Sequence, residues 1–160
     1  MKLKWKIGIV AASVGVSLAV ILQTRLTQAA IMTRTFLPLS AKVIEYSDDH
    51  GGFLGDGATR MTIKLDKRQT EILRQRILER SDWHKLPTKG DVCDAMAMIE
   101  PMSARHVQHG FCYFRDLQQA WHNPTIPGRD APFSRRYSFN FVVAVFDTDG
   151  QVLYIYNLDT

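Results

Sequence analysis

Ser138-Phe139-Asn140-Phe141-Val142-Val143-Ala144-Val145-Phe146, then Asp147-Thr148-Asp149-Gly150, then Gln151-Val152-Leu153-Tyr154-Ile155-Tyr156-Asn157, is the stretch that decides the fold. Both flanking runs are rich in the β-branched and aromatic residues that suit a pleated surface. The four residues between them, closing on Asp-Gly, are turn chemistry, so the whole reads as a β-hairpin. Along the first run Phe139, Phe141, Val143 and Val145 share one face, while Val142, Ala144 and Phe146 share the other. Neither face suits water. This strand is therefore expected to be covered on both sides.

Working outward, Arg60-Met61-Thr62-Ile63-Lys64-Leu65 alternates polar and apolar residues, which predicts a strand with one buried and one wet face. Ala41–Tyr46 and Gly110–Phe114 read as two more strands. Asp66 followed three residues later by Gln69 is a capping-box signature. The stripe Ile72, Leu73, Ile77 then makes an amphipathic helix over 66–80. Val92–Ile99 is a second, shorter helical candidate that Pro101 ends, and Leu117–Asp130, with Pro124, Pro127 and Gly128, reads as a long loop. The expectation is an α+β domain over 41–160: about five mostly antiparallel strands with one amphipathic helix packed on them.

The N-terminus is of another kind. Lys2, Lys4 and Lys6 precede an apolar run from Ile7 to Leu22, the basic and hydrophobic regions of an export signal. The run has 16 residues, between an ordinary signal peptide and a comfortable span of about 20. Residues 1–30 are thus a signal anchor or a signal peptide, with Thr27-Gln28-Ala29 as a small-residue cleavage site. Residues 31–40, containing Pro38, read as a stalk. The expected location is the cell membrane, single-pass through residues 7–22 with the C-terminal domain outside the cytoplasm. Secretion after cleavage near Ala29 is the alternative.

Charge removes one class of function. The chain has 20 basic and 16 acidic residues and a pI near 9.2. Lys2, Lys4, Lys6 and Arg25 account for the whole excess, since no acid lies among residues 1–30. The remainder is neutral, so the basic pI belongs to the leader and is no nucleic-acid footprint. No Walker, Gly-x-Ser-x-Gly or His-Glu-x-x-His motif is present, and neither a cofactor nor a metal is implied. His84, His106, His109 and His122 lack zinc-ligand spacing. Cys93 and Cys112, the two cysteines, fit either one disulfide in an oxidising compartment or two buried thiols.

Two places could carry function. The segment from Ser47 to Ala58 holds four glycines, three acids and a histidine, more than a tight hairpin turn needs. Asp48, Asp49, His50 and Asp56 are its candidate ligand-binding residues. Its acid spacing fits no EF-hand, and Gly52-x-x-Gly55-x-Gly57 is not a dinucleotide fingerprint. The second place is a basic stretch in which Arg129, Arg135, Arg136 and Trp121 are candidate interaction residues for an acidic partner.

Glu45–Phe53 with Gly55-Asp56-Gly57, and Ser138–Phe141 through Asp147-Thr148-Asp149 to Leu158-Asp159-Thr160, resemble segments of small bacterial proteins with an N-terminal membrane anchor. The resemblance implies anchoring and one small domain, and transfers no activity or catalytic residue. Three functional readings stand at this level. The first is a membrane-tethered extracytoplasmic module that binds a protein or small ligand without catalysis. The second is a small extracytoplasmic hydrolase using His50 with Asp48, Asp49 or Asp56, because an imidazole beside a carboxylate is what proton transfer needs. The third is a structural component of the cell envelope.

Overall fold

The computed structural model describes residues 25–51, 56–99, 102–118, 133 and 138–160. Within them a helix over residues 25–33, α1, comes first. Strands β1 (Lys42–Asp48) and β2 (Gly57–Lys64), helix α2 (Lys67–Leu78), strand β3 (Trp83–Lys85) and helix α3 (Asp91–Met98) follow. A 3-10 turn over Met102–His106 leads to β4 (Gly110–Asp116), β5 (Asn140–Asp147) and β6 (Val152–Asp159). The strands form one antiparallel sheet in the order β1-β2-β6-β5-β4-β3.

The 138–157 hairpin lies at the middle of this sheet, as two-sided burial requires. Val142, Ala144 and Phe146 join the core shared with α1 and α2, together with Met61, Ile63, Leu73, Ile77, Leu153 and Ile155. Phe141, Val143 and Val145 join a second core with Ala95, Met96 and Ile99 from the α3 side, where Phe133 is clasped edge-on by Phe114 and Phe141. The turn is built by Asp147, whose carboxylate accepts from the amides of Asp149 and Gly150. Its left-handed residue is Gln151, at φ 54°, one position after the glycine.

The capping box forms as read. Asp66 accepts from the Gln69 amide at 2.8 Å, and the Gln69 side chain accepts from the Asp66 amide at 2.9 Å. Gln69 then donates to Ser40 at 2.7 Å, tying the preceding segment to the helix start.

Several expectations need correcting. The sheet has six strands, and helices cover both of its faces. The wet face of β2 is wet only in part: Lys64 is exposed and Arg60 half-buried, and the departure is at Thr62. Thr62 is buried and donates to Glu45 at 3.0 Å across the β1–β2 pair. The N-terminal side differs most. The residues 25–30 assigned to the leader carry Leu26 and Ala29, both buried in the α1–α2 core at 6% and 0% exposure. The residues 31–40 assigned to a stalk hold buried Thr33, Thr35 and Leu37. The Trp83 indole donates to the Thr35 hydroxyl at 3.0 Å, so this segment reaches the β3 edge of the sheet. At its other end the Arg25 guanidinium lies 4.4 Å over the Tyr46 ring on β1. Helix α1 and its extension thus cross the sheet from one edge to the other. Among the described residues no helix is long and apolar enough to cross a membrane, and the run 7–22 lies outside them.

Truncating a core leucine costs about 2–5 kcal/mol. Leu26→Ala and Leu73→Ala should both lose that much in denaturant unfolding, because both side chains belong to one core. A loss confined to Leu73→Ala would detach residues 25–33 from the domain. Gly110 has φ 150°, and an added Cβ would run into the Phe146 carbonyl oxygen. Gly110→Ala should therefore cost more than about 1 kcal/mol in the same measurement.

Candidate functional site

The strand register divides the sheet into two ends. Asp48, Gly57, Asp159, Asn140 and Asp116 mark one end; Lys85, Gly110, Asp147, Val152 and Lys64 mark the other. The acidic loop belongs to the first, where β1 turns into β2.

Three of its four candidates form a local network. Asp48 is held by His50, whose Nδ1 lies 2.7 Å from Oδ1, by the His50 amide at 3.3 Å, and by the Tyr46 hydroxyl at 3.1 Å. Those contacts, the imidazole first, set its carboxyl below the usual carboxylate range. Asp49 does different work. One oxygen accepts from the Ala58 amide and the other from Arg60 Nη1 at 3.2 Å. The Asp49 amide in turn donates to the Ala58 carbonyl at 3.1 Å. Asp49 therefore closes the hairpin, and the Ala58 amide, ahead of Arg60, holds its pKa down. Asp56 is exposed, and no hydrogen bond or ion pair joins it to the other three among the described residues. Gly57 is required here, since an added Cβ would sit 2.7 Å from the His50 backbone. Residues 52–55, in the same loop, lie outside the described residues.

Next to this network runs a polar row on the α1-facing side of the sheet. Asp48, Thr59, Asn157, Val142 and Arg115 are successive cross-strand partners on β1, β2, β6, β5 and β4. The Thr59 hydroxyl lies 3.4 Å from His50 Nδ1, which links loop and row. Asn157 Oδ1 and Arg115 Nε are buried without a hydrogen-bond partner among the described residues, as is the Tyr113 hydroxyl one row further in. Burial pushes the Tyr113 phenol up, with Arg115 and Arg34 acting weakly against it. Such atoms ordinarily take an internal water.

At the opposite end lies a groove of about 410 Å³ between the last turns of α2, β3 and the start of β4. Ile77, Trp83 and Phe111 make its floor, and Arg74, Lys85 and His109 stand on its walls. His109 is paired with Asp149 at 2.8 Å, and Arg80 is held bidentately by Asp82 at 2.6 and 2.8 Å. None of the four loop candidates lines this groove.

Of the remaining candidates, Trp121, Arg129, Arg135 and Arg136 lie outside the described residues. Cys112 is fully buried in β4 with Sγ 3.7 Å from the Tyr113 carbonyl oxygen, and the Cys93 side chain lies outside the described set. Reading the sequence did not single out Arg74, Lys85 or the groove floor, because these residues come from three elements. The one local signal was the alternation Trp83-His84-Lys85, which places Trp83 and Lys85 on the same side of β3. No protein-family model, curated protein or solved structure matches the chain.

Asp49→Ala should raise hydrogen exchange at the Ala58 amide by about tenfold or more, with Asp56→Ala leaving it within about twofold. Equal effects would remove Asp49 from its hairpin role. Acid should act in the same place. A carboxyl whose folded pKa is depressed stabilises the fold above the ordinary Asp value, near 3.9, and loses that effect as pH falls through the lower folded value. Wild-type stability should therefore decline below about pH 4 more steeply than that of a Asp48→Asn/Asp49→Asn double variant. Parallel pH profiles would refute the assignment.

Proposed function

We propose that this protein is a membrane-tethered, extracytoplasmic binding module without catalysis, held to the bilayer through residues 7–22. The carrying observation is the place of α1. Its described part, from Arg25 on, lies close behind the apolar run in sequence and is built into the core through Leu26 and Ala29. Cleavage after Ala29 would strip both side chains from that core, which favours a retained anchor over a removed signal. The basic residues Lys2, Lys4 and Lys6 favour the orientation with the folded domain outside.

The hydrolase reading rests on the Asp48–His50 pair at 2.7 Å, a carboxylate–imidazole contact of the kind used in proton transfer. Binding is favoured over it by how the other acids are used. Asp49 is engaged by the Ala58 amide and Arg60, Asp56 stands apart, and the described groove lies at the far end of the sheet.

The test joins topology to processing. A reporter fused after Thr160 should be active only outside the cytoplasm, and the chain should fractionate with membranes. Intact mass should place the mature N-terminus before residue 25. Reporter activity in the cytoplasm, or a mature chain beginning at Ala30, would overturn the proposal. Deleting residues 1–30 from a cytoplasmic version should reproduce the stability loss of Leu26→Ala, about 2–5 kcal/mol or more.

A further inference from the structure

The groove beside β3 has the composition of a ligand site rather than of an ordinary crevice. Its volume of about 410 Å³ falls within the range of small-molecule pockets, about 300–1,000 Å³. The floor is apolar, with Ile77, Trp83 and Phe111 each below a tenth exposed. Among the described residues no acidic one lines it. Four lining residues carry or can carry positive charge: Arg74, Arg80, Lys85 and His109.

Not all four are available. Asp82 holds Arg80 bidentately, and Asp149 lies 2.8 Å from His109. Arg74 touches Glu71 only at 3.4 Å between two exposed side chains, a contact worth little in water. The Lys85 side chain is exposed and makes no hydrogen bond or ion pair among the described residues. The groove therefore offers two weakly committed cations, one on the helical wall and one on the strand wall, above a hydrophobic floor.

We infer that this groove binds a small amphipathic carboxylate, an aryl or short acyl acid whose apolar body lies on Trp83 and Phe111 and whose carboxylate meets Lys85 and Arg74. The inference rests on the binding-module reading and gives that module its ligand class. Position argues against a lipid headgroup. The first described residue, Arg25, lies over Tyr46 at the β1 edge, whereas the groove sits at the β3 edge across the whole width of the sheet. Size argues for a free small molecule over a long peptide segment. Lys85 can act as a point charge on a carboxylate, and the Arg74 guanidinium adds a planar fork that matches both of its oxygens.

Calorimetric titration of the full-length chain in nanodiscs tests this, with 3-phenylpropanoate as the probe and empty nanodiscs as the lipid blank. Saturable binding is expected, with the neutral 3-phenylpropanamide weaker by about tenfold or more. Lys85→Glu and Arg74→Glu should each weaken the carboxylate by about tenfold, and the gentler Lys85→Gln by less. Arg68→Glu, exposed on the same helix outside the groove, should change nothing. Equal binding of acid and amide would overturn the inference, as would binding unaffected by Lys85→Glu. A Lys85-dependent signal given only by anionic-lipid vesicles or by an acidic peptide would overturn the small-molecule occupant. A wild-type titration that saturates without Lys85 dependence sinks the groove and leaves a binding module. Failure of the topology reporter leaves this titration untouched.

Discussion

Strand β5 has no face to give to water, and the architecture follows from that. With Val142, Ala144 and Phe146 on one side and Phe141, Val143 and Val145 on the other, a single layer of helices would strand one set of apolar side chains in solvent. Two covering layers are required, and α1 with α2 supplies one while α3 and the 3-10 turn supply the other. The same constraint sends β5 to the interior of the sheet and leaves the partly polar β1 and the short β3 as its edges. With both faces filled near the centre, the polar chemistry is pushed to the strand ends. The Asp48–Asp49–His50 network and the cationic groove occupy opposite ones.

Covering one face with α1 makes the chain's point of entry part of its core. A flexible stalk would let the domain turn independently of whatever precedes it. A segment with Leu26, Ala29, Thr33, Thr35 and Leu37 buried cannot do so without opening the core. Its two ends are pinned by contacts of different kinds, a cation over an aromatic ring at Tyr46 and an indole hydrogen bond at Trp83. Under the proposed anchoring, any force transmitted from the bilayer reaches the β-sheet directly, beginning at β1 and ending beside the groove floor.

What could be read in advance follows from the length scale of each signal. The β5–β6 hairpin and the capping box of α2 are each encoded in one contiguous stretch, where period, turn and cap chemistry act, and both are present. The two-sided burial of β5 was legible for the same reason. Strand β3 has three residues, too few for any period to show, and it exists because β4 offers it a ladder. Helix α1 was hidden by its neighbour: Arg25 to Thr33 mixes polar and apolar residues directly after a long apolar run, which drew its start into the leader and its end into a stalk. The acidic loop was legible as a place and opaque in its use. Asp48 and His50 are two apart, whereas the partners of Asp49 lie nine and eleven residues on, reached only once β2 has paired with β1.

Neutral composition likewise concealed how charge is distributed. Residues 31–160 carry equal numbers of acids and bases, and on average that suggests no preferred partner. Folding sorts them. Asp48 and Asp49 are consumed at the β1–β2 turn, Asp82 neutralises Arg80, and Asp149 engages the His109 imidazole beside the groove. Arg74 and Lys85 are left weakly compensated over an apolar floor, where a carboxylate would lose part of its hydration and gain two cations at once. A low-dielectric floor strengthens that attraction relative to the same charges on an open surface. Two cations can therefore be selective there even though the domain that carries them has no net charge.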